Sequence, residues 1–345
     1  MSEFVLPAGF EDAWRPVVSP RVLAPDLSMH LSGRQVIAKS RLSRIVSRAP
    51  EVVVTLTGAP RSGKALRSHL DYVSRQGDLP LEGPEREALI GRAQIRELAA
   101  DWAWGGEVDS RALDRSPIAR SIVFSMSQGT DPTRLMDAVR CFAAWELGAA
   151  FDYVLVLHTD TAHPHVHATV RALGREGERL NLGKADLERW RQDFAQDLRN
   201  HGIEAEALPR RARGVILRPE RRAVRGIRER YEAGQGPNAR VLLAAQADAL
   251  TNLGEYDRPP LPWETRILAR QNQIRGQYLR AAELLGASED PSDQRLAFDV
   301  LNFVASMPKV ATRRQLLESD FVRTRIGEPP WIKPAMRERE RERER

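Results

Sequence analysis

The chain has 345 residues and a formal charge of +6, from 53 Lys and Arg against 47 Asp and Glu, so a polyanionic partner is favoured, although a solvated basic surface has the same signature. A single cysteine, Cys141, excludes an intrachain disulfide and Cys-rich zinc modules. No apolar run approaches the roughly 20 residues needed to span a bilayer, and the N-terminus lacks a basic-then-apolar leader, so no membrane insertion and a cytoplasmic setting are expected.

The length predicts one main core plus a second, smaller region. Residues 1–48 read as an N-terminal extension, in which Gly33 to Arg48 either makes one amphipathic helix or stays mobile. The run EVVVTLTG from Glu51 reads as a buried strand, because consecutive valines and alternating threonines suit a pleated surface. Gly58, Pro60 and Gly63 break it, and from about Lys64 to Arg75 the spacing of Leu66, Leu70 and Val73 predicts a helix carrying Tyr72. A polar loop with Pro80 and Pro84 precedes a helical stretch through Ile95, Leu98 and Trp102.

Ser121 to Ser127 reads as a second strand, and Asp131–Pro132 opens a helix through Leu135, Val139, Phe142 and Leu147, the carboxylate capping free amides and proline tolerating the first turn. Tyr153–Leu157 and Val166–Val170 read as two antiparallel neighbours. A helix then opens at Asp186, with Leu187, Trp190, Phe194 and Leu198 on one face and Gly202 past its end. This order implies an α+β fold, with helices packed on a mainly antiparallel sheet, over residues 49–207. Residues 208–336 read as an arginine-rich and helical C-terminal region, and 337–345 as a strictly alternating Arg/Glu tail.

The segment His158 to His167, HTDTAHPHVH, holds four of the seven histidines. On a strand His165 and His167 share a face, and His158, at the end of an antiparallel neighbour, reaches the same face as a third ring. Three imidazoles suit a divalent ion with positions left open for water or a phosphate oxygen. Asp160 is placed to accept from the second nitrogen of one ligand. His163 precedes Pro164 and is read as a spare or DNA-facing histidine rather than a ligand.

These residues resemble the motif of conjugative relaxases in the HUH endonuclease superfamily, with His165, Val166 and His167 as the histidine–hydrophobe–histidine triplet. Further blocks resemble the Ti-plasmid border endonucleases and plasmid mobilisation proteins: LDYVSRQG around Tyr72, QIRELAADW from Gln94, SMSQGTD from Ser125 and RNHGIEAEA from Arg199. The resemblance covers about 49–210, and it implies an antiparallel sheet with the histidines on its central strands and a nucleophile on a helix near its face. Gln76 and Asp78 depart from the basic residue often found after the Ser-Arg pair in that family.

The resemblance implies that Tyr72 attacks a phosphodiester at a transfer origin, with Mg2+ or Mn2+ bound by His158, His165 and His167. The products are a 5′-phosphotyrosine link and a free 3′ hydroxyl, and later rejoining needs no ATP because the ester conserves the bond energy. A phenol with an ordinary pKa near 10 needs help to ionise, and Asp160 is a candidate assistant. Ser74, Arg75, His163, Arg210, Arg211 and Arg213 are candidate DNA contacts, the last three within a segment of nine arginines from 210 to 230. Expected partners are single-stranded origin DNA, an accessory protein and a type IV secretion coupling protein, and the setting is the bacterial cytoplasm, with export alongside the transferred strand.

Spacing alone leaves Tyr153 and Tyr231 as rival nucleophiles, and the match around Tyr72 decides between them. GAPRSGKA from Gly58 keeps the Walker glycine and lysine spacing, but Ala65 stands where a hydroxyl would hold Mg2+. A rolling-circle replication initiator, a non-catalytic origin-binding relative and a metal-dependent hydrolase are the alternative readings.

Overall fold

The computed structural model describes residues 31–108, 116–208, 210–217, 220–252 and 261–325. The first 30 residues and the Arg/Glu tail lie outside the described residues. In chain order the elements are α1 (Leu31–Val46), β1 (Val53–Gly58), α2 (Gly63–Val73), β2 (Leu81–Glu82), β3 (Ala88–Leu89), α3 (Gly91–Val108), β4 (Ala119–Ser125), α4 (Pro132–Glu146), β5 (Tyr153–His158), β6 (His165–Arg171) and α5 (Lys184–Asn200). A 3-10 turn at Arg210–Arg213 leads to α6 (Arg222–Glu232), α7 (Arg240–Asn252), α8 (Pro262–Gly286), α9 (Pro291–Ala305) and α10 (Arg313–Arg325).

The strands form one six-stranded antiparallel sheet in the order β1-β4-β6-β5-β2-β3, so β5 and β6 are central. This is the expected α+β architecture followed by helices. The sequence reading missed β2 and β3, two residues each, because strands that short carry no period and Pro80 and Pro84 flank them.

Alternation along the strands gives the sheet two different faces. Val166, Ala168 and Val170 of β6, with Ile122 and Phe124 of β4, meet Phe142 of α4 and Trp190 and Phe194 of α5. Phe194 meets Phe124 and Phe142 edge to face at 5.1 and 6.4 Å, a geometry that aromatic quadrupoles favour, and Phe124 and Phe142 are tilted at 5.0 Å. On the other face Val154 and Val156 of β5 lie under Leu66, Leu70 and Val73 of α2 and Ile95 and Trp102 of α3.

A third cluster joins α1 to the C-terminal helices: Leu42 and Ile45 pack with Ile274, Tyr278 and Leu285 of α8 and Val300 and Phe303 of α9. Gly33 to Arg48 therefore belongs largely to a helix, and that helix is anchored by Lys39 on Asp293 at 2.7 Å and Arg44 on buried Glu206 at 2.9 Å.

Candidate functional site

Register brings the three histidines together: His158 lies opposite His165, and Val156 opposite His167, across the β5–β6 pair. The ring centroids stand 4.5–5.1 Å apart, and one nitrogen from each ring lies within 4.8 Å of the others. Such a trio fits one divalent cation.

The second nitrogens are treated differently from the expectation for Asp160. His158 donates Nε2–H to the carbonyl of Val73 at 2.6 Å, leaving Nδ1 for a ligand, and His165 donates Nδ1–H to the carbonyl of His163 at 3.0 Å, leaving Nε2. Backbone carbonyls thus do the orienting that the sequence reading assigned to a carboxylate. The His167 Nδ1 is buried and, among the described residues, has no hydrogen-bond partner. Burial, reinforced by the neighbouring rings of His158 and His165, pushes the His167 pKa down to about 3, and burial lowers that of His158 as well. Both rings are therefore neutral near pH 7, the form that ligates metal.

Two of the three rings are thus oriented, and a buried nitrogen of the third lacks a protein partner, so the residues present fit a bound cation. Asp160 is exposed and instead forms an ion pair with Arg75, whose Nη2 also stands 3.5 Å from His158 Nδ1. The imidazole of His163 is exposed, and it is this residue's backbone oxygen that faces the cage.

Tyr72 lies one residue before Val73 at the end of α2 and is 63 % exposed, as a side chain must be to meet a macromolecular substrate. Helix α2 starts where Ser62 caps the amide of Ala65, and it ends at Ser74. Arg75 and Gln76 follow with φ of 52° and 62°, so Arg75 lies past the helix end rather than one turn further along it. That left-handed reversal carries the guanidinium back over the Tyr72 ring, 5.7 Å from its centroid. Ser74, expected to contact phosphate, is fully buried, donating to the Asp71 carbonyl and accepting from the Gly77 amide. It shapes the loop and presents no hydroxyl at the surface.

Of the rival tyrosines, Tyr153 is core, 3 % exposed, whereas Tyr231 is exposed on α6. Arg210, Arg211 and Arg213 sit on the 3-10 turn, which is tied to α8 by Tyr278 donating to the Ala212 carbonyl and Gln271 to that of Arg211. Arg213 faces Glu51 at 3.9 Å.

His69 was missed by the sequence reading. It shares the helical spacing of Leu66, Leu70 and Val73, and its ring takes a polar place on that apolar stripe, with Nε2 2.7 Å from Ser121 Oγ and 3.0 Å from Thr169 Oγ1. Thr169 lies two residues beyond His167 on the same face of β6, so His69 fastens α2 to the strand that holds the cage.

Residues 92–203 match the family described as "Relaxase: MobA/VirD2-like, nuclease domain". That span contains all three histidines and Asp160 but begins after α2, so Tyr72 lies outside it. The T-DNA border endonuclease VirD2 of Rhizobium radiobacter is 29 % identical over 192 residues, 51 % of this chain and 45 % of that protein. The protein of the same name from Agrobacterium fabrum is 28 % identical over 194 residues, 52 % of this chain and 43 % of that one. The matched region thus spans less than half the length of these relatives. A solved structure described as "Molecular Basis of Vancomycin Resistance Transfer in Staphylococcus aureus" is 14 % identical, with a TM-score of 0.31, covering 47 % of this chain and 99 % of that chain. The family match and the border-endonuclease relatives agree with the resemblance in the histidine segment, and residues 92–203 are similar to the nuclease domain of MobA/VirD2-like relaxases.

Proposed function

We propose that this chain nicks one DNA strand at a transfer origin by transesterification and later rejoins it. The Tyr72 phenolate oxygen attacks the scissile phosphorus, a Tyr–O–P bond forms as the P–O3′ bond breaks, and the 3′ oxygen leaves as a hydroxyl after taking a proton. Reversal of the same exchange seals the strand. A Mg2+ or Mn2+ ion held by His158, His165 and His167 supplies Lewis-acid neutralisation of charge on the phosphoryl oxygens.

One observation carries this reading: the His158 ring is hydrogen-bonded to the Val73 carbonyl, so the helix end bearing exposed Tyr72 is tied to the cage. Arg75 adds a positive charge near the tyrosine, suited to a phosphate oxygen. Asp160 acts through Arg75, as its ion-pair partner, rather than on the phenol directly. Exposed His163 and the arginines at 210, 211 and 213 are proposed to track the strand through its phosphates. Single-stranded origin DNA is the substrate in this reading, an accessory protein and a type IV secretion coupling protein are its partners, and the bacterial cytoplasm is where the nick is made, with export on the transferred strand.

The test incubates the full chain with a single-stranded origin oligonucleotide and Mn2+ and looks for a covalent protein–DNA adduct on a denaturing gel. Tyr72→Phe is expected to bind the oligonucleotide with wild-type affinity and to form no adduct. An adduct of wild-type yield in that variant moves the nucleophile elsewhere, and cleavage without any adduct in the wild type replaces transesterification with hydrolysis.

A further inference from the structure

We propose that Arg75 gates the histidine cage: its guanidinium and a divalent cation are rivals for the Nδ1 lone pair of His158, and the Asp160 carboxylate, already its ion-pair partner, keeps hold of the arginine as it swings clear of that lone pair. The proposal rests on the reading of the three histidines as a metal site and adds what regulates entry to it. His158 commits Nε2 to the Val73 carbonyl at 2.6 Å, so Nδ1 is its one nitrogen left for ligation. Arg75 Nη2 stands 3.5 Å from that Nδ1 and is the same nitrogen that pairs with Asp160.

A guanidinium stays charged at any working pH, so with this hand on His158 it repels an incoming dication. The three ligand nitrogens lie within 4.8 Å of one another, so a cation held among them would lie close to the Arg75 guanidinium. The placement is built into the backbone. Arg75 and Gln76 both hold left-handed φ, and the turn closes through Gly77 at φ +97°, where an added Cβ would come within 2.8 Å of the Gly91 backbone. Helix α3 thus pins the loop that aims Arg75 at the cage.

Withdrawal is open to it because both partners are accessible: the Arg75 and Asp160 side chains are 39 % and 54 % exposed. The guanidinium that must leave for a cation to bind is also the one lying over the Tyr72 ring, so metal occupancy and the surroundings of the nucleophile change together.

The test is Mn2+ affinity of the DNA-free full chain, measured by calorimetry and by the electron paramagnetic resonance signal of free Mn2+, for wild type, Arg75→Gln, Arg75→Lys, Asp160→Asn and the Arg75→Gln/Asp160→Asn double variant. Arg75→Gln is expected to bind Mn2+ about tenfold more tightly, since one positive charge beside the site is removed. Arg75→Lys, which keeps the charge, should stay near wild type, so a tightening in both variants would overturn the charge argument. Asp160→Asn should weaken binding, and by less once Arg75 is gone, because part of its effect runs through the arginine. Wild-type binding that Arg75→Gln leaves unchanged or weaker overturns the gate while the metal site stands. Absence of Mn2+ binding from every variant overturns both the gate and the metal reading.

Discussion

His167 is the residue whose surroundings say most about conditions. Its folded pKa of about 3 lies below the ordinary 6.5, so between those values the unfolded chain takes a proton that the folded one refuses. With more protons bound in the unfolded state, stability rises with pH across that window and is lost as pH falls from about 6.5 toward 3. Urea midpoints of the full chain, without added metal, are expected to fall through this range, and His167→Gln should flatten that dependence; an equally steep fall in the variant would place the proton uptake elsewhere. The same neighbourhood explains why Asp160 was misread as a partner of a ring nitrogen. Carbonyls of Val73 and His163 arrive at the rings from the main chain, where sequence gives no residue-type signal.

At the scale of elements, the end of α2 and the turn after it decide the site. The buried stripe of Leu66, Leu70 and Val73 was legible as a helix period, but the reversal at Arg75 was not, since neither arginine nor glutamine favours positive φ. Gly77 is the exception that permits it. Gly77→Ala should lower stability by roughly 1–3 kcal/mol through forced backbone displacement, read from denaturant unfolding, and should change Mn2+ affinity through Arg75. His69 makes a second argument here. His69→Ala removes the polar partner shared by Ser121 and Thr169 and is expected to cost about 1–3 kcal/mol, with His69→Gln recovering part of it; equal losses in both variants would mean that packing, not hydrogen bonding, sets its worth.

Across the whole molecule, the sheet with its two helical faces and the C-terminal helices are joined by α1. Leu42 and Ile45 sit within the α8–α9 cluster, and Arg44 reaches Glu206 just beyond α5. Leu42→Ala should destabilise by about 2–5 kcal/mol, because a fully buried leucine leaves a cavity. Hydrogen exchange is expected to lose protection in α1, α8 and α9 together. Loss confined to α1 would show that this helix is only a surface attachment.

The sequence by itself determined the alternation that makes two-faced strands, the apolar stripes that make α2, α4 and α5, and the histidine spacing that sets two imidazoles side by side. Those are local periodicities, and local sterics and burial enforce them. Only the tertiary structure decided that His158 meets the Val73 carbonyl and that Arg75 lies between it and Asp160, contacts separated by 83 to 85 residues along the chain. Such meetings depend on how the strands register and where the helices pack, and no short stretch of chain encodes them.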